Sequence, residues 1–282
     1  MNDYKVEKSP VQRITFYSID QQLDAIGEGG RGLAGEVHAG RHLSQFGTAT
    51  YEEASALARD GWAGVRKQVD GVLDLVRERV SSRLAPTYDY RRAEEGSSVN
   101  MSAYMNGEPE CMIYQHPTPT RKGSKVVKVL YNTGALWHAT GDGMTRRGIA
   151  MIAMIDTLET LGARVELWVE CSGGNQSNIS ECGTILTRIK EAHEVVDVNR
   201  IMFVLANPAW HRRISWNTRA RFMIAGRRCG SNVLSRPLMS RDVVDADIVV
   251  AESHDNNDHR GRDPVAWILS TLKDLGFEVS DS

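Results

Sequence analysis

Lysine is scarce in this chain, at 8 residues against 26 arginines, and aromatic residues make up only 7% of it. The four cysteines, Cys111, Cys171, Cys182 and Cys229, form no CxxC pair, which points away from a zinc ribbon and from a disulfide framework. No apolar run reaches the length of a bilayer, and the polar start MNDYKVEKSP lacks the apolar stretch of a signal peptide. A cytoplasmic protein with no membrane partner is therefore expected. The glycines Gly27, Gly29, Gly30, Gly32 and Gly35 have neither the Gly-Lys-Ser/Thr of a phosphate loop nor a strand before them, so a loop is expected there. No GxSxG nucleophile elbow occurs, and Cys171 has only histidines remote in sequence as bases. Neither an internal repeat nor a low-complexity segment is visible.

The most informative absence is local. Between Arg200 and Arg241 there is no aspartate, glutamate or lysine, yet nine arginines, in a protein of formal net charge -2. Of the 34 basic residues, 25 remain outside that segment against 36 acidic ones. Trp210, Trp216 and Phe222 lie among those arginines. Guanidinium groups pair with phosphates and aromatic faces accept unstacked bases, so the pattern suits single-stranded nucleic acid. A second reading is an arginine-rich helix whose charges pair with acids elsewhere in the fold or across a subunit interface.

With 41% hydrophobic and 25% charged residues the chain has the composition of a soluble globular protein. Thr50 followed by Glu53 forms a capping box that opens a helix over TYEEASALARDGW, interrupted at Gly61. Val65, Val69, Val72, Val76 and Val80 then mark the inner face of a second helix. Residues from Ser81 to Lys125 read as a long connection with short strands. Beyond it, KVVKVLYN reads as a strand, GMTRRGIAMIAMIDTLETLG as a helix stopped by Gly162, and RVELWVE as a strand with Val165, Leu167 and Val169 inward. A helix from about Gly183 to His193, a strand RIMFVLAN, a strand DIVVAE and a last helix capped by Asp263 complete the expectation. The fold class expected is α/β, an open, mostly parallel sheet covered by helices. A partly helical extension over 1–120 would precede a sheet domain over 121–282.

In such sheets ligands gather beyond the carboxyl ends of the strands. The groups expected there are Asn132 and Thr133, Ser172 and Gly173, Asn207, and Glu252, Ser253 and His254. They form no recognisable catalytic set. His254, Asp255, Asp258 and His259 could offer metal ligands, but their spacing matches no known motif, so a solvated loop with a helix cap is expected and no metal or cofactor. Arg121, Lys122, Lys125 and Lys128 form a second basic cluster, and Arg146 and Arg147 stand at a helix start, suited to a phosphate.

The run KVVKVLYNTGALWHATGDGMTRRGIAMIAMIDTLETLGARVELWVE resembles the opening of a von Willebrand factor A domain. That family's Asp-x-Ser-x-Ser metal motif is replaced here by Asn132, Gly134 and Leu136, a departure that argues against metal-dependent adhesion. The segments TYEEASALARDGW, EPECM, RRGIAMIAMIDTLETLGARVELW and RIMFVLANPAWHRRISW resemble the Drc-type single-stranded-DNA-binding RNA polymerase cofactors of podophages. That resemblance implies a non-catalytic phage protein that captures single strands and assists a viral RNA polymerase in transcription. Arg212, Arg213, Arg219, Arg221, Arg227 and Arg228 would then meet phosphates, helped by Arg146 and Arg147, with Trp210, Trp216 and Trp137 stacking on bases. Self-association is a further expectation. The alternatives are a von Willebrand A-like protein-interaction module with no nucleic-acid role, and a metal-dependent phosphodiesterase built on Asp255 and Asp258.

Overall fold

A computed structural model describes residues 5–7, 12–27, 46–81, 87–118, 125–135, 139–174, 182–195, 197–222, 245–251, 258–277 and 279. Strands β1 (Lys5–Glu7) and β2 (Gln12–Phe16) open the chain. Helix α1 (Ile19–Ile26) follows, capped by Ser18. Thr50 caps α2 (Tyr51–Asp60): Glu53 N donates to Thr50 Oγ1 at 3.1 Å, and the Glu53 carboxylate takes Ala49 N–H at 2.8 Å. Gly61, at φ 92°, ends that helix, a backbone conformation that glycine adopts without strain. Helix α3 (Arg66–Ser81) buries Val69, Val76 and Val80 of the expected stripe, with Leu73 buried where Val72 was expected and Val72 only half-buried. Strands β3 (Thr87–Ala93), β4 (Ser98–Val99) and β5 (Met112–Thr118), with the short helix α4 (Met101–Met105), make a separate three-stranded antiparallel sheet in the order β3-β5-β4.

The larger sheet is built around β6 (Val126–Asn132) and β7 (Arg164–Gly174), parallel neighbours joined through α5 (Gly141–Thr160). Strand β8 (Cys182–Lys190) returns antiparallel to β7. Helix α6 (Val198–Ala206) leads to a π-helix over Trp210–Ser215, which continues as α7 (Trp216–Arg221). Strand β9 (Ile248–Val250), α8 (His259–Arg262) and α9 (Pro264–Asp274) complete the described elements. The six strands stand in the order β1-β2-β8-β7-β6-β9, and three of the five pairings are parallel. The expected open, mostly parallel α/β sheet is what forms.

Alternation along the strands decides where the core sits. Val127, Val129 and Tyr131 on β6 and Val165, Leu167 and Val169 on β7 join one apolar cluster with residues of α3, α5, α6 and α9. The opposite face carries Leu130, Trp168 and Leu186. Helix α5 is buried around most of its circumference, and each of Met151, Met154, Ile155 and Leu158 contributes about 1.5–3 kcal/mol by leaving water. Gly148 lets α5 approach α6, since a Cβ there would overlap the Leu205 backbone. No described helix is long and apolar enough to cross a membrane.

Three expectations need correction. The boundary at residue 120 does not divide the sheet, because β2 pairs in parallel with β8, for example Ile14 with Ile185. The segment beginning at Gly183 is strand and not helix: its Thr184, Ile185, Thr187 and Ile189 are β-branched and continue a hairpin from β7. RIMFVLAN is helical, because Asp197 accepts Asn199 N–H and Arg200 N–H at 3.1 Å and starts α6.

Candidate functional site

The carboxyl edge of the sheet is tied together by buried arginines. Strand β6 ends where Asn132 Oδ1 accepts Gly134 N–H at 2.7 Å, and Thr140 Oγ1 caps α5 by accepting Gly143 N–H. From the second turn of α5, the Arg147 side chain reaches back under this edge and is 2% exposed. Its Nη2 donates at 2.5 Å to both Asn132 O, at the end of β6, and Ala251 O, just past β9, while Nη1 donates to Gly134 O at 3.4 Å. The Nε lies 3.5 Å from Asp258, and the guanidinium carbon sits 4.4 Å from the Tyr131 ring centroid. Burial pushes the Asp258 carboxyl up, but the hydrogen bonds and charge of Arg260, with Arg147, outweigh it and hold Asp258 below the usual carboxylate range. Thus the crevice between the ends of β6 and β9 is filled by a cation of the chain itself. Arg147 is a strut of the fold and not the phosphate ligand expected from its place at a helix start.

The acid-free segment meets a similar fate. Trp210 is 1% exposed and packs edge-on against Phe203 in the core, so it cannot stack on a base. Arg212 Nη2 donates to Ala139 O at 2.7 Å, fastening the approach to α5. Arg213 Nη2 donates to Thr48 O and Ala49 O, both at 3.0 Å, beneath the start of α2, with its guanidinium over Phe46. Both arginines are buried, which corrects their assignment to phosphates. Each donates to backbone carbonyls, whereas the second sequence reading expected pairing with acids. Burial pulls Arg212 down to about 10, so it remains charged at neutral pH. Arg219 is 5% exposed, its Nε finds no acceptor, and no acidic residue pairs with it among the described residues. Trp216 is half-buried, edge-on to Phe46 and His211.

His211 sits among these cations. Burial first, then Arg212, Arg219 and Arg147, push its imidazole down to about 3, so it is neutral. Its Nδ1 lies 3.6 Å from Cys171 Sγ, an adjacency of a sequence-remote histidine that spacing could not reveal. On the other face of β7, Glu170 Oε1 accepts hydrogen bonds from Ser172 Oγ and Thr184 Oγ1, a buried polar cluster also unseen in the sequence.

Arg146 and Arg221 are exposed, as expected of contact residues. Arg146 lines a cleft of about 990 Å³ between α3, the first turns of α5 and the start of α9. Its wall is mainly apolar, with Trp62, Val72, Leu75 and Ile149, and Arg262 faces it beside Arg146. Among the described residues Asp142 is its one lining carboxylate, and Asn207, just before the stretch that carries Arg212 and Arg213, also lines it. Trp62 and Arg262 were not singled out by sequence, because both lie outside the acid-free segment.

Trp137, Arg227 and Arg228 lie outside the described residues, as do His254 and Asp255. Asp258, expected as a potential metal ligand, caps α8 by accepting Arg260 N–H at 3.0 Å and binds two guanidiniums, while His259 is exposed. Among the described residues no group of three or more His, Cys, Asp or Glu side chains is placed to hold a metal ion.

No curated protein and no solved structure matches the chain. A family model described as a domain of unknown function matches residues 4–279, and the chain therefore belongs to the DUF7192 family.

Proposed function

We propose that the protein binds single-stranded nucleic acid at the carboxyl edge of its sheet, holding the strand without altering it. The observation that carries this is the cleft: an apolar wall containing Trp62 beside the guanidiniums of Arg146 and Arg262. Such a groove offers an unstacked base an apolar surface and offers flanking phosphates two cations. Exposed Arg221 and the poorly compensated Arg219 add positive charge to the segment that leaves the cleft at Asn207. The resemblance to podophage Drc-type cofactors extends the proposal to a phage protein that presents single-stranded DNA to a viral RNA polymerase in the host cytoplasm.

A fluorescence-anisotropy titration with single-stranded DNA, duplex DNA and RNA at two salt concentrations tests it. Replacing Arg146 and Arg262 by alanine is expected to weaken binding about tenfold or more and to reduce the log–log salt slope by about 1.4, at roughly 0.7 per lost phosphate contact on a single strand. Unchanged affinity and slope would sink the assignment. The interaction-module alternative, von Willebrand A-like in its strand, long helix and strand, is favoured by a different observation, the exposed apolar surface of the three-stranded sheet.

A further inference from the structure

Ten large hydrophobic residues are exposed among the described residues, and six of them fall between Tyr90 and Tyr114, in the three-stranded sheet and its short helix α4. Tyr104 and Met105, 62% and 77% exposed, project from α4, with Met101 on the same short helix. Among the described residues no helix or strand outside this unit packs broadly against it. An apolar surface so concentrated marks an interaction site, where scattered exposed residues would not.

Charge selects the occupant. Residues 87–118 contain Asp89, Glu94, Glu95, Glu108 and Glu110 against Arg91 and Arg92, and Arg92 is already paired with Glu108 at 2.6 Å. An acidic surface repels phosphate, so neither nucleic acid nor an anionic membrane fits it. Its complement is an apolar hollow with a cationic rim. The cleft bordered by Leu75, Trp62, Arg146 and Arg262 has that character, and its volume of about 990 Å³ accommodates several side chains the size of tyrosine or methionine.

We propose that the acidic three-stranded sheet of one copy docks through Met101, Tyr104 and Met105 into the arginine-rimmed cleft of a second copy. The two surfaces are different patches of one molecule, so the contact is heterologous. It leaves a free sheet at one end and a free cleft at the other, and it propagates into a ring or an open chain. Because the cleft also serves in the proposed nucleic-acid reading, an oligonucleotide and a neighbouring copy compete for it.

Sedimentation analysis of the full chain without nucleic acid tests the docking. The wild type is expected to grow in mass with concentration at low salt and to dissociate at high salt. Tyr104→Glu with Met105→Glu removes the projecting surface, and Leu75→Glu, a half-exposed position lining the cleft, removes the receptor. Each variant alone is expected to be monomeric with an unchanged melting temperature, and an equimolar mixture is expected to form a dimer and nothing larger. A monomeric wild type at every concentration, variants that still assemble, or a mixture that stays monomeric overturns the proposal. A variant whose melting temperature falls is replaced by Met101→Lys or Val72→Lys at the same surface, read by the same outcomes. A wild type that binds the oligonucleotide but stays monomeric rejects the docking alone, whereas a wild type that assembles but binds no oligonucleotide rejects the nucleic-acid reading alone.

Discussion

Replacing Arg147 by methionine probes the structural claim on which the site rests. The side chain donates to Asn132 O and Ala251 O at 2.5 Å, reaches Gly134 O, and lies 3.5 Å from Asp258. Methionine fills similar volume but donates nothing, so two well-made carbonyl bonds are lost, each about 1.5–3 kcal/mol when the donor is charged. Relief from holding a buried cation offsets part of this, and Arg260 keeps Asp258 compensated. The net expectation is a loss of about 3–5 kcal/mol. For a chain of this size about 2 °C accompanies each kcal/mol, so thermal unfolding followed by circular dichroism should show a drop of roughly 6–10 °C. Arg147→Lys should fall between, because one ammonium cannot span the carbonyls of both strands. If Arg147→Met melts within about 2 °C of the wild type, the guanidinium is not the strut that joins β6 to β9.

Two further substitutions address the cations around α7. His211 is neutral in the fold, with its pKa near 3 against an unfolded value near 6.5, so the unfolded chain binds the extra proton as pH falls between those values. Stability attributable to the neutral imidazole is complete above about pH 6.5 and declines below it by up to about 1.4 kcal/mol per pH unit; His211→Gln should flatten denaturant midpoints between about pH 7 and pH 5, and equal slopes would refute the assignment. Arg219→Met removes a buried cation whose Nε has no acceptor, and it should leave the melting temperature unchanged or raise it by a few degrees while weakening oligonucleotide binding. A fall in melting temperature of several degrees would show that Arg219 is another strut.

Much of the fold was legible because its signals are local. The Thr50 and Glu53 capping box, the valine stripe of α3, the alternation of β7 and the Asp263 cap of α9 all act within a turn or two of chain. Elements α6 and β8 were exchanged for one another because a short apolar run fits either a buried helix or a buried strand. Asp197 before α6 and the β-branched residues of β8 carried the information that length and hydrophobicity did not. The candidate site was less legible. Charge counts locate arginines along the chain but not the carbonyls that receive them, and those of Arg213 lie more than 160 residues away. Trp62 and Arg262 meet at the cleft only through the packing of α3 against α5 and α9.

Burial does not cancel the charge that makes the acid-free segment unusual. A carbonyl oxygen stabilises a guanidinium through its dipole and leaves the net positive charge in place, whereas a carboxylate would neutralise it. Arg219 has no acidic partner among the described residues, so its positive charge persists in an interior of low dielectric. Its field is screened least where no water intervenes, and it adds to that of Arg146 and Arg262 at the rim of the cleft. Residues that create the field and residues that touch a ligand are therefore different sets. On the proposed function, rim substitutions should alter both the affinity and the number of phosphate contacts counted by the salt slope. A buried substitution such as Arg219→Met should lower affinity and leave that slope nearly unchanged, because no counterion-releasing contact is lost.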